Sequence, residues 1–132
     1  MTFAIITDIH SNNVSLKKAI SIIRGRKNID QIICLGDCFP LGPSPNDTLK
    51  TLLSLTNCVF IQGNHDRYIL ERLWKVDNPS LEGMNPDDPI CQGIVANIEW
   101  TSKQIGKKGY DFLKKMHTSH RVQVKNTIIE FT

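Results

Sequence analysis

The chain has 132 residues, 40% hydrophobic and 22% charged, with eight glycines and six prolines, the balance of one ordinary soluble domain and not of a disordered tail. No apolar run approaches the roughly 18 residues needed to span a bilayer, because Asp8 and His10 interrupt the first one, Phe3 to Ile6. The net charge of +3 is uneven: residues 1–102 hold nine Lys/Arg against eleven Asp/Glu, whereas 103–132 hold seven against two. The basic run through Lys103, Lys107, Lys108, Lys114, Lys115, Arg121 and Lys125 has few interleaved aromatics. It reads as a solvated helix face and not as a nucleic-acid surface, with a nucleotide left open as a ligand. The first segment lacks the basic region, long apolar stretch and cleavage site of a secretory signal, so a cytoplasmic protein is expected. Cys34, Cys38, Cys58 and Cys91 form no CxxC pair. They read as reduced, buried small hydrophobes without a catalytic role.

In chain order, Phe3–Thr7 is a short strand of β-formers. The polar stretch from Asp8 to Asn13 follows it, then a helix marked by Leu16, Ala19, Ile20 and Ile23. Gln31–Leu35 repeats the strand pattern and stops at Gly36-Asp37, after which Pro40, Gly42, Pro43 and Pro45 enforce an irregular loop. A helix from Asn46 or Asp47 carries Leu49, Leu52, Leu53 and Leu55; a third strand, Cys58–Ile61, ends at Gln62-Gly63, and a helix is expected from about Asp66 to Trp74. Such alternation predicts βαβ units and a mainly parallel sheet, with functional residues at the carboxyl ends of the strands. Residues 76–91, rich in Pro, Gly, Asp and Asn, form a long connection that is either a flexible surface loop or a lid near the site. Ile94–Gly106 is amphipathic and Gly109–Met116 helical, and Arg121–Lys125 with Thr127–Phe131 predicts an antiparallel hairpin turning at Lys125-Asn126. With no repeat or linker, residues 1–132 parse as a single domain.

Acidic, amide or imidazole groups follow each of the three strands: Asp8-Ile9-His10, Gly36-Asp37 and Gly63-Asn64-His65-Asp66. Strand ends in a parallel sheet lie side by side, so Asp8, His10, Asp37 and Asn64 are expected to converge. Carboxylate and amide oxygens with one imidazole suit a hard-to-borderline divalent cation, Mn²⁺, Fe²⁺ or Zn²⁺. Gly36 and Gly63 let the chain turn sharply off the strand and approach a metal or phosphate closely. Each motif alone is weak, since D-x-H is a common surface pair and G-D a common turn.

Together and in this order the motifs resemble the calcineurin-like metallophosphoesterase superfamily, whose blocks read D-x-H, G-D and G-N-H-D/E. The stretch from Gly36 through Gly42-Pro43-Ser44-Pro45, and the Trp100-Thr101 pair, resemble a bacterial and archaeal branch of it. The resemblance implies the amino-terminal portion of an α/β/β/α sandwich, a dinuclear centre and hydrolysis of phosphate esters by a metal-activated hydroxide. It implies that Asp8 and His10 hold the first metal, that Asp37 bridges and that Asn64 holds the second. His65 would sit beside the substrate phosphate as proton donor or charge stabiliser, with Asp66 orienting it. The family's later histidine blocks are absent from these residues, so the second metal site is expected to be incomplete and the 132-residue chain weak or inactive. The alternative is a non-catalytic phosphate-binding module that keeps the fold. His117 and His120 match no family block and are expected away from the metals. Ile128, Ile129 and Phe131 are expected to form an open sheet edge through which the chain pairs with a second copy.

Overall fold

The computed structural model describes all residues, 1–132. Strand β1 (Phe3–Ile6), helix α1 (Asn13–Arg24), β2 (Gln31–Cys34), α2 (Pro45–Leu53), β3 (Cys58–Phe60) and α3 (Asn64–Leu70) alternate as the sequence predicts. The strands form one parallel sheet in the order β1-β2-β3, with Ile5 opposite Ile33 and Ile33 opposite Val59. A 3₁₀ turn at Leu73–Lys75, the long helix α4 (Pro89–Lys114) and a hairpin of β4 (His120–Val124) and β5 (Thr127–Phe131) complete the chain. No helix is long and apolar enough to cross a membrane.

Packing explains the order. Helix α1 is capped by the Asn12 side chain, which accepts the Ser15 N–H at 3.1 Å, and turns Leu16 and Ile20 inward. Helix α4 opens on an Asp88 cap with Pro89 in its first turn and lays Cys91, Val95, Ile98, Thr101 and Ile105 along its buried stripe. The apolar ones share a core with Phe39, Leu52, Ile69 and Leu113, all essentially without solvent contact. Each such side chain contributes about 1.5–3 kcal/mol by leaving water, so this core fixes the loops that it supports.

Several boundaries differ from expectation. Helix α3 begins at Asn64, two residues early, because the extended backbone of Gly63 and the Asp66 carboxylate cap it. It stops at Leu70, and Arg72 takes a left-handed φ of 53° before the 3₁₀ turn. The two helices expected at 94–116 are present as the two arms of α4, which the non-helical backbone of Gly106 (φ 57°, ψ −156°) divides at a kink, the first arm starting earlier than expected, at Pro89. The connection before α4 is no free loop, since Leu81 is buried in the core. In the hairpin, Ile129 and Phe131 share the half-buried face of β5, and Phe131 meets Phe3 edge-on with ring centroids 5.3 Å apart. Of the three residues expected to form an open edge, only Ile128 is exposed, at 64%.

Candidate metal centre

The loops after β1 and β2 are joined along their backbones. His10 N–H donates to the Asp37 carbonyl and Ser11 N–H to that of Cys38, each at 2.9 Å, while the Ser11 hydroxyl donates to the Phe39 carbonyl. These turns are tight: Asp8, His10, Ser11 and Asp37 all have φ between 44° and 53°, a left-handed conformation rare for side-chain-bearing residues. Such strain persists only where the surroundings over-determine it. Glycine permits the approach. A Cβ on Gly42 would lie 1.5 Å from the His10 carbonyl oxygen, and one on Gly63 would lie 2.2 Å from Asp37 Oδ1. Gly36 (φ +94°) packs so closely on the Gly63 backbone that it too has no room for a side chain.

This frame brings Asp8, His10 and Asp37 together, with one ligand atom from each lying within 4.8 Å of the others. His10 Nδ1–H donates to the Pro40 carbonyl at 2.8 Å. That bond fixes the tautomer and turns the Nε2 lone pair toward Asp8, whose Oδ1 lies 3.6 Å away. Asp8 Oδ2 accepts from the Thr7 hydroxyl at 2.8 Å and Asp37 Oδ1 from the His65 N–H at 3.0 Å. Two carboxylates and an oriented imidazole are the donor set of a divalent cation and fit poorly to a thiolate-seeking metal. The cysteines are free and lie outside this set. A hydrogen bond with Cys34, with burial, holds Cys38 well above the ordinary thiol range, and burial pushes Cys58 up to about 12, so both remain unreactive thiols.

Asn64 and His65 occupy the first turn of α3. Asn64 Nδ2 donates to Glu82 Oε1 at 2.5 Å, which leaves the Asn64 carbonyl oxygen free to accept another partner. Tyr68 O–H reaches the same Glu82 oxygen at 3.4 Å, so the connection before α4 rests against the site. The His65 ring stands edge-on to His10 and to Tyr68, at centroid separations of 5.2 and 5.4 Å. Its Nδ1 is buried without a partner. Burial lowers the His65 pKa, with the Asp37 carboxylate pulling it partly back and His10 lowering it further.

The contact expected between Asp66 and His65 is not made. Asp66 is fully buried, and its oxygens accept backbone N–H groups, Oδ1 from Cys38 at 2.9 Å and Oδ2 from Gly63 at 3.1 Å. The carboxylate thereby caps α3 and ties the turn after β3 to the turn after β2. Burial, only partly offset by these hydrogen bonds, raises its pKa to about 6. His117 is exposed and bridges Ile61 along the backbone, and His120 opens β4; neither joins the cluster.

Glu82 and Asn97 were not legible as site residues. Glu82 belongs to no motif, and Asn97, on α4, holds the loop after β2 by accepting the Leu41 N–H at 2.7 Å. Its position on a buried-side helix turn, facing a Gly/Pro-rich loop, was the only available signal.

The protein is thus an α/β fold with a possible metal-binding cluster at the carboxyl ends of its parallel strands. The chain belongs to the calcineurin-like phosphoesterase family, whose model matches residues 1–126. It is 32% identical over 129 residues to the uncharacterised protein MJ0912 of Methanocaldococcus jannaschii, a match covering 98% of this chain and 47% of that protein. Among solved structures it resembles a metallophosphoesterase from Sphaerobacter thermophilus (24% identity, TM-score 0.61, 97% of this chain and 45% of that one). It also resembles the hypothetical protein PH1004 from Pyrococcus horikoshii (19%, TM-score 0.68, 97% and 52%). The chain thus spans about half the length of these relatives.

Proposed function

We propose that this chain is a metal-dependent phosphoesterase whose first cation is held by Asp8, His10 and Asp37, with Asp37 and Asn64 contributing to a second. The observation that carries the reading is the His10 tautomer. A carbonyl fixes the proton on Nδ1 so that Nε2 joins two carboxylates as a donor. When bound, divalent ions supply charge against the phosphate oxygens and make water acidic enough to attack. The protein's own part is to hold the donors on strand ends and to keep the His65 ring beside them, from where it would donate to a phosphoryl oxygen. Mn²⁺, Fe²⁺ and Zn²⁺ all suit the donors, and a cytoplasmic setting accords with four unpaired cysteines.

The test is calorimetric titration of the EDTA-stripped chain with Mn²⁺, alongside hydrolysis of an aryl phosphodiester. The expected result is saturable binding lost in Asp37→Asn and His10→Ala, with turnover below about 1 per second because the second ion has few ligands. Binding unaffected by Asp37→Asn would refute the site. Tight phosphate binding without any metal binding would favour the non-catalytic module. We propose in addition that the exposed side of β5 pairs two copies of the chain.

A further inference from the structure

A groove of about 440 Å³ opens where the 3₁₀ turn at Leu73–Lys75 packs beside α4, and none of its lining residues is a candidate metal ligand. Its volume falls in the range of small-molecule sites. Four cations line it, Arg72 and Lys75 from the turn and Lys103 and Lys107 from α4, against a single carboxylate, Glu99. The local basic excess of the sequence is thus gathered partly into a concave surface. Two half-buried aromatic residues, Trp74 and Tyr110, line the same groove.

The cations are not consumed by the fold. Neither Arg72 nor Lys75 forms an ion pair. Lys103 pairs with Glu99 at 2.8 Å and Lys107 with Asp111 at 2.5 Å, both one helical turn apart and largely exposed. Such exposed pairs are weak, so a phosphate group displaces them at little cost. The backbone is shaped for the groove as well. Arg72 is left-handed at φ 53°, and Gly106, the break in α4, lies in the lining with nothing within 4 Å of where its Cβ would be. Packing therefore does not demand glycine there, whereas the bend does.

We propose that this groove binds a nucleoside di- or triphosphate, its phosphates among Arg72, Lys75, Lys103 and Lys107 and its base against Trp74 or Tyr110. Clustered cations alone select a polyanion, and the two aromatic faces add the stacking that a base offers and an inorganic phosphate does not. The site is separate from the metal centre. Ile69, near the end of α3, lines the groove, while Asn64 and His65 sit at the start of this seven-residue helix, roughly 6–8 Å away along its axis at 1.5 Å per residue.

The experiment is titration of the 132-residue chain with ADP in EDTA, by calorimetry and tryptophan fluorescence. It compares the wild type with Lys75→Glu, Lys107→Glu and their double variant, and with Lys17→Glu/Arg24→Glu, which makes the same charge change on α1. All substituted side chains are exposed, and melting curves verify folding. Saturable binding is expected, weakened about tenfold or more in the Lys75/Lys107 double variant through lost charge-assisted contacts and nearly unchanged in the α1 variant and in Asp37→Asn. No saturable binding overturns the proposal. Equal weakening by the α1 variant shows net charge only and also overturns it, and loss in Asp37→Asn would move the site to the metal centre. Pyrophosphate binding as tightly as ADP rejects the nucleotide.

Discussion

Asp37 keeps its place because Gly63 has no side chain. A methyl group there would lie 2.2 Å from Asp37 Oδ1 and 2.4 Å from its N–H nitrogen, inside any permissible contact, so Gly63→Ala must push the carboxylate off its position. We expect Mn²⁺ affinity to fall about 10–100-fold, the usual effect of disturbing a ligand's support, with the helical circular dichroism retained; unchanged affinity would show that the carboxylate has slack. Asp66 makes a second residue-scale prediction. Its pKa of about 6 lies above the ordinary 3.8, so the folded chain retains a proton that the unfolded chain releases between those values. The resulting stability is fully present below about pH 4 and is lost as pH rises through 6. The advantage of wild type over Asp66→Asn in metal-free urea unfolding should therefore shrink from pH 4 to pH 7, and a growing advantage would contradict the assignment. Asp8, His10 and Asp37 were legible because each follows a short strand within two to four residues. Asp66 was misread as a partner of His65, since the same Gly-x-x-Asp spacing also serves a helix cap and sequence cannot say which donor its carboxylate accepts.

Among the elements, α4 departs most from a simple pattern. Gly106 and Gly109 each suggested a helix end; the helical angles do break at Gly106, while Gly109 lies within the second arm. Their reasons differ. A Cβ on Gly109 would lie 2.3 Å from Ile105 Cβ, a packing constraint, whereas Gly106 faces open space and is needed only for φ 57°, ψ −156°. That conformation is nearly closed to any other residue and costs about 1–3 kcal/mol when forced. Gly106→Ala should thus lower the melting temperature by several degrees, at roughly 3–5 °C per kcal/mol for a chain of this size. If the helix instead straightens without loss, the bend is not built into the fold. Periodicity recorded where apolar residues fall and that the helix breaks near Gly106, but not that Gly109 is held to glycine by packing on Ile105.

For the whole molecule, the parallel βαβ order and the closing hairpin were readable from alternating patterns, while the state of the sheet edges was not. Ile128, Ile129 and Phe131 look equivalent as an apolar run, but neighbouring strand residues point to opposite faces. Ile129 and Phe131 therefore turn to the half-buried side, where Phe131 meets Phe3, and Ile128 and Glu130 turn outward. Arg121 opposite Glu130, with an Nε–Oε1 distance of 2.9 Å, places a charged pair on this outer face and sets its register. An exposed isoleucine beside a fixed strand edge is a surface on which a second copy can pair. Sedimentation of the wild type should accordingly depend on concentration, and Ile128→Lys, which removes the apolar contact without touching the core, should return it to a monomer. Phe131→Lys is expected to act differently: it takes away the aromatic partner of Phe3 and should lower stability itself, by about 1–3 kcal/mol, whatever the oligomeric state. A wild type that stays monomeric at high concentration, or an Ile128→Lys variant that associates as the wild type does, would remove β5 as the pairing surface.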